Sequence, residues 1–142
     1  MNIRIIGFAI CFLFGLALSQ CAHAEPLTVG LHAVSYHAPE KGQQNVNPGL
    51  YVRGDDWQIG MYRNSYRKPT IYAAYSWQLG DGYELFTGGA TGYKKVWHHG
   101  PIAPMVAFSK PIDFRVLGMR PRVTFMLPTP KTSAVVHLSA EF

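Results

Sequence analysis

The sequence predicts an all-β protein: an eight-stranded antiparallel up-and-down transmembrane β-barrel that follows a cleaved signal peptide. Of the 142 residues, 48% are apolar and 13% aromatic, and the 14 glycines and 10 prolines indicate many turns and strands rather than helices. Apolar and polar residues alternate along several segments, and no segment has a convincing helical period. The chain ends on Phe142 after such an alternating segment, which is typical of the signal by which bacterial outer-membrane barrels are recognised for insertion.

The first 24 residues have the organisation of a secretory signal peptide. Arg4 precedes an apolar run that extends to Leu18, and Ala22-His23-Ala24 fits a small-x-small cleavage site. We therefore predict that residues 1–24 are removed and that residues 25–142 form one outer-membrane barrel domain. An uncleaved membrane anchor and a lipidated cysteine are the alternatives. Both cysteines lie in this segment, so the barrel domain has no disulfide bond.

The rest of the chain divides into eight strands at turn signals. The first strand alternates from Leu27 to Ala33, and Gly54-Asp55-Asp56 separates the second strand from the third. Leu79-Gly80-Asp81-Gly82 is a tight turn rich in residues that accept positive φ. Prolines interrupt the segment after residue 101, which we interpret as a long kinked strand, a turn and a short strand. The strands after the first are predicted at residues 48–53, 57–65, 70–79, 83–93, 102–117, 122–127 and 132–142.

Eight strands are the smallest number that closes a transmembrane barrel, and closure leaves no strand edge in lipid. Spans of about ten residues suit tilted strands that cross the hydrocarbon core. We therefore predict a monomer in the bacterial outer membrane, inserted by the barrel-insertion machinery through the strand that ends at Phe142. The predicted external loops are 38–47, 66–69, 94–101 and 128–131, and the predicted periplasmic turns are 54–56, 79–82 and 118–121.

The sequence contains no pattern for a metal site, a cofactor or a nucleic-acid surface. His98-His99 would point to opposite faces of a strand, which disfavours a shared metal ion. Arg67, Lys68 and Lys94-Lys95 lie in external loops, where they would either meet the phosphates of lipopolysaccharide or be ordinary solvated charges.

The candidate catalytic residues are predicted at the outer rim of the barrel. His32 points inward by alternation near the outer end of the first strand, and Asn64-Ser65 ends the third strand. Alternation turns Asn64 inward, and it turns Ser65 outward unless the strand end twists or bulges. An imidazole can act as general base on a hydroxyl. On spacing alone, the simpler interpretation is a set of interior polar groups that satisfy one another.

Short motifs across residues 27–142 resemble the lipid A palmitoyltransferase (PagP) family of outer-membrane enzymes, in the family's order. That family has a Trp-His-Ala segment followed by Pro-Trp-Gly, a stretch that ends Asp-Ser-Trp, an Ile-Ala-Gly-Tyr-Gly-Trp segment and a Thr-Phe segment that ends Ile-Pro. The resembling segments here are Leu31-His32-Ala33 with Pro48-Gly49, Met61-Tyr62-Arg63-Asn64-Ser65-Tyr66, Tyr72-Ala73-Ala74-Tyr75-Ser76-Trp77 and Val123-Thr124-Phe125-Met126-Leu127-Pro128.

The resemblance implies an acyltransferase that moves a phospholipid acyl chain onto lipid A without a cofactor. By position, His32 matches the family's catalytic histidine and Ser65 its catalytic serine, whereas Asn64 stands where the family has aspartate. An asparagine cannot take a proton, but it can orient a partner by hydrogen bonding. Ser76 stands where the family has a glycine at the floor of its acyl pocket, which implies a donor chain shorter than palmitate.

The resemblance also implies that lipids enter sideways where prolines weaken strand pairing, at Pro101, Pro104 and Pro128. A proline has no backbone N–H to donate to a sheet, so pairing is weak at such a position. The alternative is that these prolines simply end strands.

A second function is open, namely a non-catalytic barrel whose external loops bind or block ligands, as in adhesion or phage exclusion. An interior filled by bulky side chains favours that function, whereas an apolar cavity open at the rim beside His32 and Ser65 favours the enzyme. His137, Ser139 and Glu141 share one face of the last strand. They resemble the His-Ser-Glu set of lipid A deacylases, but they lie at the predicted periplasmic end.

Overall fold

Eight antiparallel strands close into one barrel in the computed structural model, which describes residues 27–40, 42–93, 100–127 and 133–142. Each strand pairs with its neighbours in the chain, and the first pairs with the last, so the predicted all-β barrel is confirmed. No helix in the described ranges is long and apolar enough to span a membrane. The strands are β1 (Thr28–Ala38), β2 (Val46–Arg53), β3 (Trp57–Arg63), β4 (Pro69–Gly80), β5 (Tyr83–Ala90), β6 (Ala103–Pro111), β7 (Arg120–Met126) and β8 (Ala134–Glu141).

Several predictions concern residues outside the described ranges. They are the signal peptide at residues 1–24, the pairs Lys94-Lys95 and His98-His99, and Pro128.

The connection between β6 and β7 differs most from its predicted form. β6 ends at Pro111, and the chain then bends at Asp113, whose carboxylate pairs with Arg120 at 2.7 Å. The turn lies at Leu117 and Gly118, which both have positive φ, rather than at 118–121. Pro121, predicted in the turn, lies in β7 and opposes Ala140 of β8.

The two faces of the sheet have opposite chemistry. Outward side chains are large and apolar, and Ile71, for example, is 60% exposed. Inward positions hold polar, charged or small residues, because successive side chains of a strand point to opposite faces. The buried polar positions include Ser35, His37, Asn47, Gln58, Thr70, Ser76, Ser109, Ser133, His137 and Ser139.

A buried ion-pair cluster fills the end of the barrel that carries Phe142, which we call the inner end. Arg53 and Arg122 each contact both Glu84 and Glu141, with N–O distances of 2.8 to 3.2 Å. Two positive and two negative charges balance, which buried charges require. These four buried side chains therefore occupy the barrel interior at the inner end.

Tyrosine rings occupy the middle of the barrel. Tyr51 and Tyr72 are almost fully buried. Gly60 makes room for both, since a Cβ there would lie 2.6 Å from the Tyr72 ring and 2.8 Å from Tyr51. These rings therefore fill much of the middle of the barrel, between the ion-pair cluster and the outer end that carries Ser65.

Candidate functional site

A serine, a histidine and an asparagine form a hydrogen-bonded chain at the outer end. Ser65 Oγ lies 2.7 Å from His37 Nε2, and His37 Nδ1 lies 3.0 Å from Asn45 Oδ1. This order, in which a hydroxyl meets an imidazole whose other nitrogen is held by an oxygen, is that of an activated nucleophile. The three residues are therefore the strongest candidate for chemistry in the described structure.

A β-bulge in β1 brings His37 into the barrel. His32 points inward, and strict alternation from there would turn His37 outward. The register against β8 shifts at Ala33, since His32 opposes Ser139 while Val34 already opposes Leu138. The extra residue reverses the alternation, so Val34 is exposed while His37 is buried. His32 and His37 thus share the interior despite their odd separation in sequence.

Ser65 reaches His37 because β3 ends two residues earlier than predicted, at Arg63. Ser65 lies in the turn that follows and escapes strand alternation. The backbone N–H of Gln44 donates to the Ser65 carbonyl at 3.0 Å, which ties the β1–β2 loop to the serine.

Asn64 stabilises that turn and does not orient a catalytic side chain. It is fully buried, and its side-chain oxygen accepts the backbone N–H groups of Tyr66 at 2.9 Å and Lys68 at 3.1 Å. Its amide nitrogen donates to Thr70 Oγ1 and to the Gly92 carbonyl, both at 3.0 Å. These bonds use both ends of the amide. The contacts found for Asn64 therefore explain an asparagine here, because a carboxylate could not make the two donor contacts.

His32 lies in the interior as expected, but its ring nitrogens contact other residues than Ser65. Its Nε2 lies 2.9 Å from the Tyr72 hydroxyl, and its Nδ1 lies 2.8 Å from His137 Nε2. Gln58 donates to the same Tyr72 hydroxyl. Both nitrogens are then used in a structural chain, and the expected pairing of His32 with Ser65 does not occur.

The Ser65–His37 pair lines a pocket that contains about 880 Å³ of space, part of it open to solvent. Its opposite wall is apolar and comes from β5, β6 and β7. Tyr62, beneath the pocket, is hydrogen-bonded to Tyr93 at 2.5 Å, and burial together with Tyr62 raises the pKa of Tyr93 well above its usual value. The apolar lining residues are Ala90, Ala103, Pro104, Met105, Val106, Met126, Leu127 and Val135.

A second, smaller cavity of about 540 Å³ lies deeper in the barrel. It shares Tyr62, Met105, Met126 and His137 with the outer pocket, so these four side chains form the partition between the two spaces. Ala74, Phe86 and Ala107 line its far side.

The predicted substrate-binding residues are distributed unevenly around this site. Pro104 lines the outer pocket, and Pro101 is exposed nearby in the chain. Arg67 and Lys68 are exposed in the turn that contains Ser65. Ser76 is buried near the inner end, where its hydroxyl donates to the Asp55 carbonyl at 3.2 Å, and it lines neither cavity.

The last strand places His137, Ser139 and Glu141 inward, but these three residues do not form a catalytic set. Ser139 accepts from the Tyr51 hydroxyl at 3.3 Å, and Glu141 belongs to the ion-pair cluster. His137 contacts His32 instead.

Sequence reasoning missed His37 and Asn45. Tyr36-His37-Ala38 keeps the aromatic-His-Ala order of the family motif better than Leu31-His32-Ala33 does, and that order could have indicated His37. Nothing local indicated Asn45, which lies in a loop. Comparison of the chain with models of known protein families and with curated protein sequences finds no match.

Proposed function

We propose that this protein is an outer-membrane acyltransferase that moves an acyl chain from a phospholipid onto lipid A. The observation that carries the proposal is the hydrogen bond between Ser65 Oγ and His37 Nε2 at the wall of a largely apolar pocket. A hydroxyl and a base in contact are the groups that acyl transfer needs. The apolar wall opposite them suits a lipid chain.

The proposed reaction begins when Ser65 Oγ attacks the ester carbonyl of the phospholipid while its proton passes to His37 Nε2. The bond between the acyl carbon and the glycerol oxygen breaks, and that oxygen takes the proton from His37 as lysophospholipid leaves. A lipid A hydroxyl then gives its proton to His37 and attacks the acyl carbon. Ser65 Oγ leaves and recovers the proton, so the enzyme is unchanged.

The pocket supports this proposal because the reacting side chains lie on one wall and the apolar side chains that would bind an acyl chain lie on the other. His37 comes from β1 and Ser65 from the β3–β4 turn, whereas Met105, Val106 and Met126 come from β6 and β7 on the opposite wall. An acyl chain lying along that wall would bring its ester toward Ser65. Arg67 and Lys68, exposed beside Ser65, suit the phosphates of lipopolysaccharide.

The chemistry of the two faces supports an outer-membrane location. A closed barrel with apolar side chains outside and polar ones inside is the arrangement that lipid requires. Trp57, Tyr75, Trp77 and Tyr83 are exposed on neighbouring strands near the inner end, as expected of an aromatic girdle at a membrane interface. The signal peptide at residues 1–24 and recognition of the strand ending at Phe142 are parts of the same proposal.

The test is mass spectrometry of lipid A from cells that express the chain, beside Ser65→Ala and His37→Ala variants. We expect a new lipid A species that is heavier by one acyl chain and absent from both variants. Ser109→Ala is the matched control, because Ser109 is also a buried barrel serine but bonds to Thr124 away from the pocket.

An unchanged lipid A profile, with a folded barrel found in the outer membrane, would contradict the acyltransferase proposal. That result would favour the non-catalytic binding barrel. The tyrosine rings and the ion-pair cluster, which occupy much of the interior, are consistent with that function.

A further inference from the structure

We infer that Asn45, oriented by Glu40, is a positioning residue that holds His37 in the one tautomer able to accept the proton of Ser65. The inference rests on the proposed function, since it assigns two further residues to the same site. Neither residue stands out in the sequence, because both lie in the β1–β2 loop.

The direction of each hydrogen bond follows from the chemistry of the partners. The Asn45 amide nitrogen lies 3.4 Å from Glu40 Oε1, and a carboxylate can only accept. The amide oxygen of Asn45 therefore faces His37, at 3.0 Å from Nδ1. An amide oxygen also only accepts, so His37 Nδ1 carries the proton.

The neutral imidazole then has one nitrogen left without hydrogen, and it is Nε2. Ser65 Oγ lies 2.7 Å from that atom and donates its proton to it. The chain from Glu40 through Asn45 and His37 to Ser65 thus has a single consistent direction. Reversing the Asn45 amide would set its oxygen against the Glu40 carboxylate, and both groups are acceptors.

The backbone holds this chain in place from both sides. The carbonyl of Asn45 accepts the backbone N–H of Ser35, two residues before His37 in β1, at 2.7 Å. The residue before Asn45, Gln44, donates its backbone N–H to the Ser65 carbonyl at 3.0 Å. Asn45 therefore lies on a loop that is tied to the strand of the base and to the turn of the nucleophile.

Asparagine in this position has a definite consequence for pH dependence. A neutral amide orients the imidazole but adds no negative charge to stabilise the imidazolium that forms during the reaction. An aspartate would do both. Glu40 and His137 are titratable groups that face this pair. When Glu40 is also changed to Gln, which removes the like charge beside position 45, replacing Asn45 by Asp is therefore expected to keep the orientation and to move the pH midpoint of Ser65 reactivity upward.

The experiment measures the reaction of purified, refolded protein with a fluorophosphonate probe, across a range of pH. Ser65 Oγ attacks phosphorus, fluoride leaves, and the serine proton passes through His37 to solvent, so the rate reports the Ser65–His37 pair without any lipid substrate. Mass spectrometry locates the adduct, and Ser65→Ala is the blank. The urea midpoint of each variant shows whether the barrel stays folded.

We expect Asn45→Ala to lower the labelling rate by roughly tenfold to a hundredfold, the scale on which loss of a histidine's orienting partner acts. Asn45→Asp combined with Glu40→Gln is expected to keep most of the original rate, with a higher pH midpoint. Glu40→Gln, which keeps an acceptor oxygen, should match the original protein, whereas Glu40→Ala should label about twofold to threefold more slowly, because an exposed contact contributes little.

Two results would overturn the inference alone: an Asn45→Ala protein that labels at the original rate and pH midpoint, or a protein with both Asn45→Asp and Glu40→Gln that behaves as Asn45→Ala does. If the original protein does not label at Ser65, the proposed nucleophile itself is wrong. The two failures are therefore distinguishable.

Discussion

The His37 imidazole and the Ser65 hydroxyl, 2.7 Å apart, come from opposite sides of β2. A bulge at Ala33 turns His37 inward, and the early end of β3 frees Ser65 from strand alternation. Both departures from regular strand geometry occur at the same end of the barrel. Bulges near active sites commonly re-aim a side chain in this way.

The two histidines near this site are predicted to respond differently to substitution. His37→Asn removes the proposed base, and general-base loss costs about a hundredfold or more, so the acylated lipid A species should disappear. His32→Asn breaks contacts to Tyr72 and His137, which should lower the free energy of unfolding by about 1–3 kcal/mol while acylation persists. Lipid A mass spectrometry and urea unfolding check the two effects. Acylation lost in folded His32→Asn but kept in His37→Asn would return the catalytic role to His32.

Asn64→Asp is predicted to destabilise the protein rather than to improve catalysis. The carboxylate would lose the donor contacts to Thr70 and the Gly92 carbonyl and would be buried without a positive partner. Loss of such buried contacts costs about 1–3 kcal/mol, measurable as a lower urea midpoint. Lys68→Gln, a change at an exposed position of the same turn, is the stability control. An Asn64→Asp protein of unchanged stability with faster acyl transfer would contradict the structural role assigned to Asn64.

The ion-pair cluster at the inner end should respond strongly to loss of one arginine. Arg122→Ala leaves Glu84 and Glu141 with only Arg53, and breaking a buried pair costs about 3–5 kcal/mol. Arg120→Ala breaks an ion pair with exposed Asp113, which should cost at most about 1 kcal/mol. Unfolding in urea measures both. Equal effects of the two substitutions would show that the cluster contributes little.

Acyl-chain selection is predicted to depend on the partition between the two cavities and not on Ser76. Met126 separates the outer pocket from the deeper one, whereas Ser76 lines neither. Met126→Ala should open the deeper cavity and shift lipid A acylation to longer donor chains, and Ser76→Gly should leave the chain length unchanged. The mass of the transferred chain reads out both variants. A longer chain transferred by Ser76→Gly alone would restore Ser76 as the floor of the acyl pocket.

The alternation in sequence by itself determined the architecture. Period-two patterns such as Ile71 to Leu79, together with glycine and proline turn signals, were sufficient for the number of strands and for which face of a regular strand points outward. These are local properties, since side-chain direction along a regular strand depends only on parity. The same patterns also led correctly to an inward His32.

Only the tertiary structure decided which residues meet at the site. Alternation counted from His32 would turn His37 outward. The bulge at Ala33, in the pairing of β1 with β8, reverses the alternation and turns His37 inward. Alternation would likewise turn Ser65 outward. The hydrogen bond from the Asn64 side chain to the carbonyl of Gly92, a residue beyond β5, anchors the chain where β3 ends. Ser65 therefore lies in a turn and does not follow the strand alternation. Asn45 meets His37 because the β1–β2 loop is tied to Ser35 on one side and to Ser65 on the other. Each cause is a contact between distant segments, which no local pattern contains.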